Sequence, residues 1–192
     1  AVHLFSHCGG KLRFDEALAA FVPGETRERL TVCGAANGAM TLDATLADGA
    51  AKGHAAAARA TGADAGKAPR PPRADAPREA PLAPIWFVPS LPPYAEGNKH
   101  FLDQQNDVTA ADVELAAREG YRSVEHTKRY TTLGMATDQG KTSNIAGLGI
   151  LADALGKPIP EVGTTTFRPP YTPYSFGAIA GRRAGALFHP VR

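Results

Sequence analysis

A short stretch rich in glycine, lysine and hydroxyl groups has the residue types of an anion site. It reads Asp138-Gln139-Gly140-Lys141-Thr142-Ser143-Asn144 and runs into a segment with apolar periodicity. Thr142 or Ser143 can cap a helix that begins there, and Lys141 comes just before it. Free backbone N–H groups, the positive end of a helix dipole and a lysine together suit a phosphate or a carboxylate. The sequence therefore predicts an anion-binding loop, and the alternative is a capped helix start with a solvated lysine.

The same stretch departs from the phosphate-binding loop of nucleoside triphosphatases. That loop requires the pattern G-x-x-x-x-G-K-[ST] behind a strand. Gly140, Lys141 and Thr142 fit its end, but the first glycine would fall at Met135, and Gly134 lies one residue too early. No apolar strand precedes the stretch. The sequence therefore argues against a nucleoside triphosphatase.

Composition limits the classes of function. The chain has 192 residues, which suggests one or two domains, and a net charge of +2, which gives no electrostatic case for nucleic acid or a membrane surface. No apolar run approaches a membrane span, and no signal segment opens the chain. The two cysteines, Cys8 and Cys33, form neither a CxxC motif nor a zinc-ligand pattern. We therefore expect no metal site and a reducing, cytoplasmic compartment.

Residues 1–60 predict the end of a Rossmann-like, NAD/FAD-type dinucleotide-binding domain. A β-prone run, Leu30–Cys33, leads into the small-residue turn 34–38, and an alanine-rich helix follows from Thr41 to Arg59. Strand, turn and helix in this order are how such a domain ends. An ordinary strand-to-helix turn is the alternative, because the G-x-G-x-x-G pattern is absent. Residues 61–84, rich in proline, alanine and arginine, predict an extended linker.

Residues 85–160 predict a small, mainly helical domain. Thr109 and Asp112 form a start like a capping box, in which aspartate replaces the usual glutamate or glutamine. That helix should end near Gly120, because glycine suits the position after a last helical turn. The other signals are a β-prone run Ile85–Val88, a helix from Val124 to Tyr130 that Ser123 can cap, and a helix after Thr142 with Leu148, Leu151 and Leu155 on one face.

Residues 161–192 predict an extended lead-in to another domain. The prolines at 169, 170 and 173 disfavour helix at the residues before them, and a new element begins near Phe176. The chain starts without Met and stops without the pattern of a terminal helix, so we expect a piece of a larger polypeptide. The predicted fold class is α/β plus α.

Three sequence segments follow one another along the chain: QNDVTAADVELAAREGYRSVEHTKRYTTLGMATDQGKTSN, GILADALGK and EVGTTTFRPPYTP. They resemble the alpha subunit of the heterotetrameric sarcosine oxidases, closely over residues 100–192. The resemblance identifies residues 1–60 as the end of that subunit's nucleotide-binding domain. It identifies residues 161–192 as the start of an aminomethyltransferase-like, folate-binding domain.

The resemblance implies an enzyme complex. Members of the family demethylate sarcosine oxidatively to glycine, produce hydrogen peroxide, and pass the methyl carbon to tetrahydrofolate. It implies beta, gamma and delta subunits as partners, with FAD in the beta subunit and FMN attached to beta at the interface with alpha. It also implies NAD in the alpha subunit. Sarcosine oxidation itself belongs to another subunit, so we expect no catalytic residue on this chain.

The resemblance gives the anion loop a candidate ligand, the phosphate of FMN. Lys141, Thr142 and Ser143 suit that phosphate, and Lys128 or Arg129 suits either the phosphate or the N1–C2 edge of the flavin ring. The further residues expected at FMN are Thr131, Thr132, Gln139 and Gly140, and those expected near NAD are Gly34, Ala35 and Asn37.

Several alternatives stand beside this interpretation. Lys128 and Arg129 can be a solvated helix face, and His126 a packed or surface histidine. An acid/base pair among Asp103, Asp107 and Asp112 is poorly supported, because Asp112 is better explained as a cap. An iron–sulfur cluster of the kind found in related subunits is excluded from residues 61–192, which contain no cysteine. The alternative function is a non-catalytic scaffold that joins domains and docks a partner subunit.

Overall fold

A computed structural model describes residues 2–62, 64, 66–76, 80–90, 97–168, 171–172 and 174–188. In chain order its helices are α1 (His3–His7), α2 (Leu42–Thr61), α3 (Ala110–Arg118), α4 (Val124–Thr131), α5 (Asn144–Ala154), α6 (Ile159–Val162) and α7 (Phe176–Ala180). Two antiparallel hairpins pair β1 (Leu12–Asp15) with β2 (Ala20–Pro23) and β3 (Phe101–Asp103) with β4 (Val108–Thr109). Short 3₁₀ turns lie at Gly34–Asn37 and Arg182–Phe188. The predicted mixture of helix and strand, with a small helical domain, is confirmed.

The core lies where α3 and α6 pack against α5, and α4 packs against α3. Seven of the eleven residues of α5 are buried, since its sequence is apolar on nearly every side. The predicted apolar face of this helix is confirmed, because Leu148 and Leu151 are buried and Leu155 packs against the buried core residues. The buried cluster consists of Val108, Ala110, Val113, Val124, Leu133, Leu148, Ile150, Leu151, Ala152 and Val162.

Two glycines of α5 allow bulky side chains to approach the helix backbone. A Cβ atom on Gly147 would lie 2.5 Å from Leu133 Cδ2, and one on Gly149 would lie 2.4 Å from Trp86 Cγ. Trp86 therefore packs onto α5 directly. The β-prone run Ile85–Val88 forms no strand, because it has no partner strand within the described ranges.

The capping box of α3 forms as predicted. Asp112 N donates to Thr109 Oγ1 at 3.4 Å, and Thr109 N donates to Asp112 Oδ2 at 2.8 Å. The helix ends at Arg118, and Gly120 follows with a φ of +94°. At α4, Ser123 occupies the N-cap position without a capping hydrogen bond from its side chain.

The first sixty residues differ from the expectation in one respect. Leu30–Cys33 is not a strand, because no described segment pairs with it. The strands lie earlier, in the hairpin of β1 and β2, where the rings of Phe14 and Phe21 meet edge to face at 5.1 Å. The predicted alanine-rich helix is confirmed as α2, although none of its residues is buried.

The division of the chain into the segments 1–60, 61–84, 85–160 and 161–192 stays a prediction. The prolines at 77, 169, 170 and 173 lie outside the described residues. None of the helices within the described ranges is both long enough and apolar enough to cross a membrane.

Candidate anion-binding site

The predicted anion loop is closed by a carboxylate of its own. Gly140 N donates to Asp138 Oδ1 at 3.0 Å, and Thr142 Oγ1 donates to Asp138 Oδ2 at 3.1 Å. Backbone with positive φ at Gln139 (+53°) and Gly140 (+72°) turns the chain so that both donors reach Asp138. Asp138 thus takes donors that an external anion would use.

Lys141 is an anchor between two segments. Its Nζ donates to the carbonyl oxygen of Tyr171 at 2.7 Å and lies 4.1 Å from the centroid of the Tyr171 ring. The His3 ring stacks on the same ring at 4.0 Å. The carbonyl oxygen and the ring stabilise the ammonium in this position, so its hydrogen-bonding capacity is partly used within the chain.

The expected side-chain cap of α5 is wrong. Thr142 donates its hydroxyl proton to Asp138, and Ser143, at the N-cap position, makes no capping hydrogen bond. Ser143 has a helical backbone conformation and is 1% exposed. Its hydroxyl is turned into the fold, where it has no hydrogen-bond partner among the described residues.

Basic side chains gather instead around a cavity of about 200 Å³ beside α4. Three of the lining groups are basic and one is a carboxylate, so the cavity carries a positive charge. Its walls are formed by Glu125, Lys128, Arg129, Met135, Gln139 and Arg168. Three predicted residues, Lys128, Arg129 and Gln139, are thus brought together, and three others join them that the sequence did not single out.

Lys128 is the most unusual of these residues. It is only 6% exposed, and this burial lowers the pKa of its ammonium, with Arg168 and Arg129 acting in the same direction and Glu125 opposing them. Within the described ranges it forms no ion pair and no hydrogen bond. A buried charge without a hydrogen-bonded partner is expensive, so Lys128 is well placed to receive an anion.

Glu125 does not supply that anion, because other donors hold it. Its Oε1 accepts from Thr166 N at 2.7 Å, and its Oε2 accepts from Arg129 Nη1 at 2.8 Å. Burial raises the pKa of Glu125, but these donors outweigh it and the pKa is lowered overall. Glu125 therefore ties the segment that leads to Arg168 onto α4.

The remaining predicted residues serve the turn between α4 and α5. Thr131 Oγ1 donates to Thr127 O at 2.8 Å, and Thr132 ends the helix with a φ of +65°. Gln139 reaches the cavity, where its Oε1 accepts from Arg168 N at 3.4 Å. The spacing of Glu125, Lys128 and Arg129 on one helix was readable from the sequence, whereas the approach of Arg168 was not.

The predicted NAD turn is also satisfied within the chain. Gly34 N donates to Asp48 Oδ2 at 2.8 Å, and Asn37 Nδ2 lies 3.4 Å from the same atom. The Gly34 bond is the main reason that the pKa of Asp48 is lowered, and Lys52 Nζ pairs with Asp48 at 3.1 Å. Ala35 lies in the same turn and is exposed. NAD binding here stays a prediction.

The acidic residues before α3 have structural tasks. Asp103 is 3% exposed and accepts from Gly134 N at 2.8 Å and from Gln105 N at 2.9 Å. It therefore fixes the loop that leads to the cavity, while Asp112 completes the cap. His126 lies on the surface. Among the described residues, no group of three metal-binding side chains comes together.

Comparison with known proteins gives one consistent result. Residues 97–182 match the family described as sarcosine oxidase A3 domain. The chain is 44% identical over 194 residues to sarcosine oxidase subunit alpha of Corynebacterium sp. strain P-1. It is 45% identical over 196 residues to sarcosine oxidase subunit alpha of Rhizobium meliloti strain 1021. Both alignments include the whole chain but only 20% and 19% of the relatives, so it spans about a fifth of their length.

The whole chain is thus similar to sarcosine oxidase alpha subunits, and residues 97–182 match their A3 domain. The resemblance predicted from the sequence is thereby confirmed. The A3 domain match contains α3, α4, α5 and α6 together with every residue that lines the basic cavity. The candidate anion site therefore lies within the residues that match the A3 domain.

Proposed function

We propose that this chain is part of the alpha subunit of a sarcosine oxidase complex. Such a complex demethylates sarcosine oxidatively to glycine, releases hydrogen peroxide, and forms methylene-tetrahydrofolate when tetrahydrofolate is present. Identity of 44–45% to sarcosine oxidase alpha subunits across the whole chain supports this proposal. The proposal includes beta, gamma and delta partner subunits, FAD in beta, NAD in alpha, and a cytoplasmic location.

This region contributes to binding FMN at the interface with the beta subunit. The observation that carries the proposal is the buried Lys128, which forms no ion pair and no hydrogen bond within the described ranges, beside Arg129 and Arg168 in one cavity. FMN brings negative charge in its phosphate, and its reduced ring is also stabilised by nearby positive charge. The residues present therefore fit an anionic cofactor.

FMN, when bound, supplies the chemistry that passes electrons to oxygen. The part of this chain is to bind and orient it. Lys128, Arg129 and Arg168 supply positive charge, and Gln139 adds an amide. No described residue has the surroundings of a general base, so sarcosine oxidation is assigned to another subunit.

The test uses the whole alpha subunit purified with its partner subunits. Sarcosine-dependent peroxide release and two flavins per complex are expected. Lys128→Met should lower the FMN content or slow peroxide release by about tenfold or more, since a charged hydrogen bond is lost. Lys141→Met is the matched control, because Lys141 is bound to Tyr171 and should affect both less.

A non-catalytic scaffold is the second candidate function. It is favoured by the internal closure of the predicted loop, where Asp138 and Tyr171 engage Gly140, Thr142 and Lys141. In that case Lys128→Met and Lys141→Met would leave the flavin content and turnover unchanged, and the FMN proposal would fail.

A further inference from the structure

Asn144 is a buried polar residue at the start of α5. The residue is 7% exposed, and its Oδ1 has no hydrogen-bond partner among the described residues. The other buried residues of this helix are glycine, alanine, leucine and isoleucine. A buried carbonyl oxygen without a partner destabilises a fold, so an apolar side chain would cost less at this position. The amide is therefore explained by what it holds in place rather than by core packing.

Two tight turns are built around the Asn144 side chain. Gly134 and Gly140 have φ of +66° and +72°, a backbone conformation that glycine favours. A Cβ atom at either position would overlap Asn144 Oδ1, and Asn144 N donates to Gly140 O at 3.0 Å. The amide and the two turns therefore pack as one unit, in which Asn144 fills the space that the glycines leave.

The amide nitrogen of Asn144 joins the second of these turns to the segment that leads to Arg168. Asn144 Nδ2 donates to Thr165 Oγ1 at 2.9 Å, and Gln139 O lies 3.5 Å from the same nitrogen. Thr165 is 3% exposed, so this hydrogen bond is shielded from water. Gln139 and Arg168 both line the basic cavity, whereas Asn144 does not. Asn144 therefore connects two walls of the cavity from behind.

The place of the Arg168 charge depends on that connection. Arg168 is exposed, and the hydrogen bond from its own N–H to Gln139 Oε1 is long at 3.4 Å. Glu125 restrains the same segment from the side of α4. The bond between Asn144 and Thr165 is shorter than the Gln139 bond and is buried, so it is the stronger restraint of the two. Without it we expect the segment to withdraw from the cavity and to take the Arg168 charge with it.

We propose that Asn144 is a positioning residue for the basic cavity, where its hydrogen bond to Thr165 holds the Arg168 guanidinium beside Lys128. The inference rests on the proposed function, in which this region contributes to FMN binding, but it concerns a residue that does not line the cavity. Asn144 acts on the site only through the geometry of its walls. Its loss should therefore change the placement of Arg168 and leave the charge of the cavity unchanged.

The first measurement is amide hydrogen exchange of residues 163–168 in the full-length alpha subunit, which needs no flavin. Thr165→Val removes the acceptor but keeps a branched side chain of similar shape. We expect it to speed exchange in this segment by about 3- to 10-fold, the net value of one hydrogen bond, with exchange in α3 unchanged. Asn144→Ala should have a similar effect, and the double variant should add little, because both changes remove the same bond.

Two substitutions in the same segment serve as controls. Thr165→Ser keeps the hydroxyl acceptor and should preserve slow exchange. Thr166→Val makes the same chemical change at the exposed neighbouring position and should leave exchange unchanged, since the Thr166 hydrogen bond to Glu125 comes from its backbone N–H.

The second measurement is sarcosine-dependent peroxide release by the assembled complex. Thr165→Val should lower kcat by about 3- to 10-fold and leave the KM for sarcosine unchanged, because sarcosine oxidation is assigned to another subunit. Arg168→Gln should also lower kcat. In the Arg168→Gln background, Thr165→Val should add little, because the charge that the hydrogen bond positions is already absent. A general loosening of the fold would instead add its full effect in both backgrounds.

The two measurements together decide the role of Asn144. Faster exchange of residues 163–168, with a loss of kcat that disappears in the Arg168→Gln background, supports positioning. Unchanged exchange, faster exchange without a change in kcat, or an equal loss of kcat in both backgrounds overturns it. Faster exchange throughout α3 would show general loosening and would also overturn it. A wild-type complex without sarcosine-dependent peroxide would overturn the proposed function, while exchange in the alpha subunit still decides whether Asn144 holds the segment.

Discussion

Replacing Lys128 by methionine should stabilise the ligand-free alpha subunit around α4. Lysine and methionine have similar unbranched stems, so the apolar packing of the side chain is largely kept. What changes is the ammonium of a side chain that is 6% exposed as a whole and forms no hydrogen bond within the described ranges. The substitution removes a buried charge without removing a partner.

The expected gain is modest because part of the burial penalty is already offset. Replacing a whole buried ion pair by apolar residues of similar volume often stabilises a protein by about 1–4 kcal/mol, and we take this range as the upper limit for removing one buried charge without a hydrogen-bonded partner. Glu125 attracts Lys128 while Arg129 and Arg168 repel it, and Glu125 is shared with Arg129. We therefore place the gain in the lower half of that range, about 1–2 kcal/mol.

Amide hydrogen exchange of the α4 segment in the full-length alpha subunit measures this directly. A gain of about 1–2 kcal/mol slows exchange through local opening by a factor of about 5–30. The pKa of Lys128 is lowered in the fold, so between that pKa and the unfolded value near 10.4 the unfolded chain binds more protons. Wild-type stability then rises with pH, and the advantage of Lys128→Met should shrink as pH approaches about 10.

Arg122→Met is the control, since Arg122 is exposed and its charge is not buried. Faster exchange of α4 in Lys128→Met than in wild type would show that the lysine has a stabilising partner in the free subunit. A stability advantage of Lys128→Met over wild type that stays constant from pH 7 to about pH 10 would show that the fold does not lower the pKa of the Lys128 ammonium. Either result would refute the argument for a buried, unpaired charge.

Two further predictions concern the supports of the site. Glu125→Gln should speed exchange at Thr166 by about 3- to 10-fold above pH 5, as a charged acceptor is lost, while Glu161→Gln should not. Because the pKa of Glu125 is lowered in the fold, its contribution to stability is present above its unfolded pKa and is lost as the pH falls through its folded pKa. A difference in exchange between wild type and Glu125→Gln that does not change in acid would contradict this. Gly147→Ala should destabilise the protein by about 1–3 kcal/mol in denaturant unfolding, because the new Cβ atom would lie 2.5 Å from Leu133 Cδ2. Gly53→Ala in α2 is the control, since its Cβ atom would meet nothing within 4 Å. Equal effects of the two substitutions would refute the packing argument.

Local signals in the sequence were sufficient to place α2, α3, α4 and α5, but not α1 or α6. The capping box at Thr109 and Asp112, the end of α3 before Gly120 and the buried stripe of α5 all follow from interactions within a few residues. The resemblance to sarcosine oxidase alpha subunits was also readable, because long words occur in order. Strands were predicted less well: Leu30–Cys33 and Ile85–Val88 have β-prone composition, but a strand forms only where a second one is available to pair.

The sequence by itself determined which residue types could bind an anion near position 140 and on the helix before it. Only the tertiary structure decided which of them face a cavity. Asp138 closes its own loop, Tyr171 engages Lys141 from thirty residues away, and Glu125 brings Arg168 to the buried Lys128. These contacts join distant segments, and burial sets the electrostatic strength of a charge, so neither can be read from local spacing.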